Sequence, residues 1–233
     1  MPRTAKKKAT PLKSKPKDAK VYERADGNWY VDPPSVSEAL FRAEKFNGMI
    51  SDPCCGMGNI LRMAARAGHR VVGYDANPRP EHFRTMPGVL WPSPVDFLST
   101  EAERFQWQNI VMNPPYGAGA KGEPRLEEQF IDRALQLARG KVAAVLQIAW
   151  MTRRIEWLRV RGCIRIYAIN PRPSMLPGVN IVAGEEPGGG IPDYAWFVFL
   201  SGADMAPTID VARRIPDFDK DSAWTWRRGG HSK

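Results

Sequence analysis

The sequence predicts an α/β fold, a mostly parallel twisted sheet with helices on both faces. Three observations predict it. Short apolar runs alternate with amphipathic stretches through most of the chain. One run, Val142 to Ile148, is apolar except for Gln147, as in a strand covered on both faces. Turn-forming residues follow the strand-like runs, most clearly at Asp52–Gly58 and Asn113–Tyr116.

Taken in order, Tyr22 to Tyr30 reads as a short strand or loop, and Asp32-Pro33-Pro34 as a stiff extended turn. Ser35 or Ser37 can cap a helix reaching about Phe46. Met49 to Asp52 is a strand, Asn59 to Ala67 a helix ended by Gly68, and Arg70 to Tyr74 a second strand closing on Asp75. Trp107 to Met112 is a strand, and Leu126 to Arg139 carries Phe130, Ile131, Ala134, Leu135 and Ala138 at helical spacing. After Val142–Ile148, Thr152 to Arg161 reads as a helix, Ile164 to Ile169 as a strand, and Tyr194 to Leu200 as another.

Charge divides the chain. The net +9 is carried by the ends: residues 1–20 hold +7 and residues 212–233 hold +3, leaving −1 for 21–211. The expected organisation is therefore a disordered basic tail over 1–20, one folded domain over 21–211, and a basic C-terminal tail over 212–233. Such tails bury too little apolar surface to fold, and would be drawn to a phosphate backbone; simple solubilisation is the plain alternative. Three cysteines make no disulfide framework, which suits a reducing cytoplasm. No signal peptide or membrane span is expected, since the longest apolar run, Val142 to Met151, is too short for a bilayer.

The run Asp52-Pro53-Cys54-Cys55-Gly56-Met57-Gly58 stands between a strand and a helix. Glycines let a ligand approach the backbone, and free N–H groups at the helix start favour an anionic group. Asp75 ends the next strand 17 residues after Gly58, close to the spacing at which an acid reaches the ribose of a nucleotide. A dinucleotide site uses the same physics, but Leu61 stands where the third glycine of that fingerprint belongs.

Asn113-Pro114-Pro115-Tyr116 follows a strand of the same sheet, which puts it at the carboxyl edge beside that loop. An exocyclic amino group on a base is a poor nucleophile, because its lone pair is delocalised into the ring. Two acceptors on its N–H bonds, the Asn113 side-chain oxygen and the Pro114 carbonyl, would favour a tetrahedral nitrogen and stabilise developing charge. Pro115 fixes the extended backbone and brings no competing N–H. Tyr116 offers a flat face for an extruded base, a contact worth about 1–3 kcal/mol.

On these residues the sequence resembles the S-adenosylmethionine-dependent amino-methyltransferases with the D/N-P-P-Y/F signature, the DNA N6-adenine group in particular. Ile148-Ala149-Trp150, an Arg-rich helix, Asn170-Pro171-Arg172-Pro173-Ser174-Met175 and Asp193-Tyr194-Ala195-Trp196-Phe197 then follow in an order that resembles the small enzymes of phages and prophages. The resemblance spans about residues 28–208. It implies a Rossmann-like methyltransferase fold with an antiparallel late strand, and S-adenosyl-L-methionine as cofactor. It implies cofactor contacts at Asp52, Pro53, Cys55, Gly56, Gly58, Asp75, Ala76, Asp96, Phe97 and Asn113, and catalytic roles for Asn113, Pro114, Pro115 and Tyr116. Asp32-Pro33-Pro34 lies where the family's N-terminal cofactor motif often falls, although an acid stands where a small hydroxyl residue is common.

Substrate contacts are expected from Tyr116 and from arginines after the central strand, notably Arg153 and Arg154, with Arg172 in a later loop. A solvated helix face explains the same arginines equally well. Tyr194 and Trp196 fit core positions better than a base pocket. His69, His82 and His231 have no evident role, and the cysteines lack metal-ligand spacing. The expected substrate is adenine N6 in DNA. Cytosine N4, an RNA base or a protein glutamine would suit the same chemistry, and a catalytically silent nucleic-acid binder is the reading from another class.

Overall fold

The computed structural model describes residues 29–79, 93–185, 192–216 and 219. The basic tail at 1–20 and most of the C-terminal one lie outside these residues, as do His82 and His231.

The described chain runs β1 (Tyr30–Val31), α1 (Pro34–Ala43), β2 (Ile50–Asp52), α2 (Asn59–Arg66), β3 (Val71–Asp75) and β4 (Ser93–Pro94). A 3-10 helix (Thr100–Arg104) precedes β5 (Asn109–Met112), α3 (Leu126–Leu137) and β6 (Lys141–Gln147). There follow α4 (Ala149–Arg153), α5 (Ile155–Val160), β7 (Cys163–Asn170), β8 (Leu176–Pro177), α6 (Gly178–Val182), β9 (Tyr194–Leu200) and β10 (Thr208–Arg213).

Eight strands form one sheet in the order β10-β7-β9-β6-β5-β2-β3-β4. All its pairings are parallel except those of β9, which lies antiparallel between β6 and β7. The predicted α/β fold with an antiparallel late strand is the observed one.

Both faces of the sheet are covered, which explains the uninterrupted apolar run in β6. Val142, Ala144 and Leu146 face one core with Ile131 and Ala134 of α3 and Leu158 of α5. Ala143 and Val145 face the other, with Val36, Ala39 and Leu40 of α1 and Ile60 and Ala64 of α2. The same alternation holds in β9, where Phe197 and Phe199 face the first core and Trp196 the second. The Trp196 indole donates to the Val36 carbonyl at 2.9 Å, so this residue ties the sheet to α1.

Several boundaries differ from the expectation. The first helix stops at Ala43, three residues short of Phe46. The helix expected over Thr152–Arg161 is broken at Arg154 (φ −135°, ψ 23°) into α4 and α5. β10 continues through Arg213, past the expected domain end at 211, and pairs in parallel with β7. Its side chains are mostly exposed, Ile209 and Val211 among them, and only Ala212 is buried. The two-residue strands β1 and β8 pair outside the main sheet, Tyr30 opposite Pro177 and Val31 opposite Leu176.

Candidate active site

The parallel strands β2, β3 and β5 end at one edge, and this places Asp52, Asp75 and Asn113 together. A cavity opens there, bordered by Asp32, Asp52, Gly56, Asp75, Phe97 and Asn113 among others. Of the residues predicted from sequence, Pro53, Cys55, Ala76 and Pro115 also border it. A larger cleft at the opposite ends of the strands, lined by Lys45, Gln108, Asn109 and Arg139, holds none of the motif residues.

The loop after β2 is built by local chemistry. The Cys54 N–H donates to the Asp52 carboxylate at 3.1 Å, and the Cys55 N–H donates to the Tyr74 carbonyl at 2.9 Å. Gly58 sits at φ +80° and ends the turn, where a side chain would be strained, and α2 starts at the next residue. The Gly56 N–H donates to Asp75 Oδ2 at 2.9 Å, and the Asn77 N–H to Oδ1 at 2.8 Å. Asp75 is thereby a brace for the glycine loop as well as a border of the cavity.

The loop after β5 is tied to the same frame. The Cys54 thiol donates to the Asn113 backbone carbonyl at 3.3 Å. The Asn113 amide nitrogen lies 3.4 Å from the Tyr30 carbonyl, and its oxygen 2.9 Å from the Tyr116 hydroxyl. That hydroxyl is also 2.7 Å from the Val145 carbonyl, so its one proton can serve either acceptor. Pro114 is buried, and among the described residues no hydrogen bond to its carbonyl is formed. Tyr116 does not border the cavity; its half-buried ring packs against the core while its hydroxyl is held at the sheet. Beyond it, Glu127, only 1% exposed, accepts the Gly117 N–H at 2.9 Å and anchors the following loop to α3.

Burial governs the electrostatics. It pushes Asp52 well above the usual carboxylate range, with Asp32 and Asp75 adding to the rise against the Cys54 N–H. Asp75 is raised by burial too, opposed by the Asn77 and Gly56 N–H groups and by Arg79. Asp32 is pushed up to about 6 by burial, against the lowering hydrogen bond of Ser37. The thiols of Cys54 and Cys55 are raised by burial and by Asp52, which keeps them from being nucleophilic thiolates. Among the described residues no cluster of His, Cys, Asp or Glu could hold a metal ion. No described helix is long and apolar enough to cross a membrane.

Other sequence expectations fall differently. Asp96 is exposed, and its carboxylate accepts the Leu98 N–H at 3.0 Å instead of turning to the cavity, while its neighbour Phe97 is 1% exposed. Arg154 is paired with Glu128 at 2.9 Å and Arg172 with Asp193 at 2.6 Å. Arg159, Arg161 and Arg165 are also in ion pairs, so much of the arginine cluster is internally matched. Arg153 is exposed and forms no ion pair among the described residues.

Several contributors escaped sequence reasoning. Trp29 packs over Gly56, and the Arg79 guanidinium lies 4.2 Å from the Trp29 ring. Asn59 and Phe130 are also on the border. Only Asn59, next to the glycine turn, carried any signal of position; the others arrive through tertiary packing.

Solved structures share this architecture. A candidate class I S-adenosylmethionine-dependent methyltransferase from Listeria monocytogenes matches with TM-score 0.51 and 12% identity, over 87% of this chain and 73% of its own. A candidate type I restriction enzyme modification subunit from Vibrio vulnificus matches with TM-score 0.52 and 14% identity, over 88% of this chain. The chain spans 54% of that second protein's length. No protein-family model matches the sequence, and neither does any curated protein. The chain has the S-adenosylmethionine-dependent methyltransferase fold.

Proposed function

We propose that this chain is an S-adenosylmethionine-dependent methyltransferase acting on the exocyclic amino group of a nucleic-acid base, adenine N6 in DNA. One observation carries the reading. Asn113 and Pro115 border the same cavity as Gly56 and Asp75, so the catalytic and cofactor motifs read from sequence meet in one place.

The residues fit the cofactor chemically. Asp32, Asp52 and Asp75 suit a ligand with a sulfonium, an ammonium and a ribose diol, and Phe97 and Phe130 offer apolar walls for its base. Gly56 brings backbone close to the ligand, with Pro53, Cys55 and Ala76 beside it, while Gly58 lies off the cavity border and serves the turn into α2. When bound, the cofactor supplies an electrophilic methyl group.

The chain's own residues do the rest. The Asn113 oxygen and the Pro114 carbonyl accept the two N–H bonds of the target amine and hold its lone pair toward the methyl group. The nitrogen would gain the methyl as the methyl–sulfur bond breaks to leave a neutral thioether, and would release its proton to water. Tyr116, its hydroxyl anchored at the sheet, keeps its ring in a fixed plane for stacking against the base. Arg153, with Arg154 and Arg172 where their acidic partners yield, meets backbone phosphates.

Incubation with labelled cofactor and unmethylated DNA, alongside RNA and protein, identifies the product by mass spectrometry. N6-methyladenine in DNA is expected. In Asn113→Ala, assayed at saturating cofactor, it falls by on the order of a hundredfold or more. Label in RNA or in protein glutamine moves the substrate, and no transfer from a protein that binds cofactor overturns the catalytic reading.

A further inference from the structure

The acids at the cavity border suit the cofactor's sulfonium, ammonium and ribose diol, but its carboxylate needs donors. A glycine loop that opens a helix ordinarily offers an anion free backbone N–H groups. This loop uses most of its own internally. Pro53 has no N–H, and the Cys54 N–H donates to Asp52 at 3.1 Å. Cys55 donates to the Tyr74 carbonyl at 2.9 Å, Gly56 to Asp75 at 2.9 Å, and Gly58 to the Cys55 carbonyl at 2.7 Å.

Among the described residues that border the cavity, Arg79 is the one cationic side chain. Its guanidinium lies 4.2 Å from the Trp29 ring, and its Nη1 donates to the Asn77 carbonyl at 3.0 Å. Among the described residues it forms no ion pair. Stacking occupies the face of a guanidinium and leaves the N–H groups along its edge able to donate. A carboxylate fits two of those side by side.

Trp29 can hold the guanidinium in place because it is itself confined. A Cβ on Gly178 would lie 2.2 Å from the indole, and one on Gly56 3.6 Å from it. The Gly178 N–H also donates to the Trp29 carbonyl at 2.9 Å. The guanidinium therefore stands on a fixed platform at the rim of an otherwise acidic cavity.

We infer that Arg79, held on the face of Trp29, binds the carboxylate of S-adenosylmethionine. It thereby selects this cofactor over ligands that share its nucleoside but lack the carboxylate. The inference rests on the reading that the cavity takes S-adenosylmethionine, and adds a residue outside both motifs. Charge explains the need: Asp32, Asp52 and Asp75 border the same space, and repulsion of a carboxylate is poorly screened in a buried site.

Calorimetry on the full chain compares S-adenosylmethionine with its decarboxylated analogue, which differs only at the carboxylate. The wild type should prefer the first by about 10–100-fold, the range for hydrogen bonds to a charged group. In Arg79→Met that preference collapses. Arg79→Lys, a point charge without the paired edge, keeps part of it. Trp29→Leu, which removes the platform, loses part of it. A preference unchanged in Arg79→Met overturns the inference and gives the carboxylate to the first turn of α2. A wild type that binds both ligands alike overturns it too. Should Arg79→Met fail to fold, Arg79→Lys decides, and a full wild-type preference there overturns the inference. Binding of neither ligand overturns the cofactor reading and this inference with it. A preference lost with Arg79, in a protein that methylates no nucleic acid, upholds the inference and overturns only the reading of the substrate.

Discussion

The Asp75 carboxylate accepts the Gly56 N–H at 2.9 Å, so the acid at the end of β3 holds the glycine loop after β2 in shape. One side chain thus serves two tasks, bracing the loop and bordering the cavity. Asp75→Ala removes both, and cofactor affinity measured by calorimetry falls by about 10–100-fold, the range for hydrogen bonds to a charged group. Asp75→Asn keeps one acceptor oxygen and loses less.

Asp32→Asn is expected to be more stable than wild type at neutral pH. Burial raises the folded pKa from 3.8 to about 6, so the folded state binds this proton more tightly than the unfolded chain does. The resulting stability is fully present below pH 3.8 and is lost as pH rises through about 6. Above that, the buried charge costs up to about 3 kcal/mol. Melting curves should place the variant above wild type at pH 8 and close to it near pH 4.

Gly178→Ala tests the packing around Trp29. A Cβ on Gly178 would lie 2.2 Å from the indole ring, which is itself confined by Gly56 and Arg79. Overpacking of this kind costs about 1–3 kcal/mol. Thermal melting should show the loss, and the tryptophan emission of Trp29→Phe subtracted from that of wild type should show the ring displaced.

Arg153→Ala should weaken nucleic-acid binding and reduce the slope of log affinity against log salt by about one, as for one lost phosphate contact. Arg172→Ala, whose guanidinium is matched to Asp193, should change the slope less. A slope unchanged in Arg153→Ala would show that Arg153 meets no phosphate.

Sequence made the centre of the molecule legible because its physics is local. Val142–Leu146 reads as a two-sided strand from composition alone, and Asp52–Gly58 and Asn113–Tyr116 announce turns at strand ends. What sequence could not show depends on partners far along the chain. Thr208–Arg213 pairs with β7, but its alternating Ile209 and Val211 are exposed, so its pattern does not report a buried face. Trp29 and Arg79 reach the cavity through packing that no spacing encodes. The arginines after β6 looked available because their acids, Glu128, Asp132 and Asp193, are distant in sequence or on other elements. Asp32 was visible as a departure from the family pattern, but its neighbours Ser37 and Asn59 come together only in the fold.

The antiparallel strand β9 also governs how the chain reaches this structure. β6 and β7 are neighbours in sequence, yet each pairs with β9 and neither with the other. During synthesis the slot between them stays open until Tyr194–Leu200 has emerged, and both flanking edges carry unpaired backbone until then. Closing the sheet is a long-range event that waits for Tyr194–Leu200, after β6 and β7 have been made. A chain cut before Tyr194 would therefore expose two apolar strand edges and aggregate, leaving little soluble fragment.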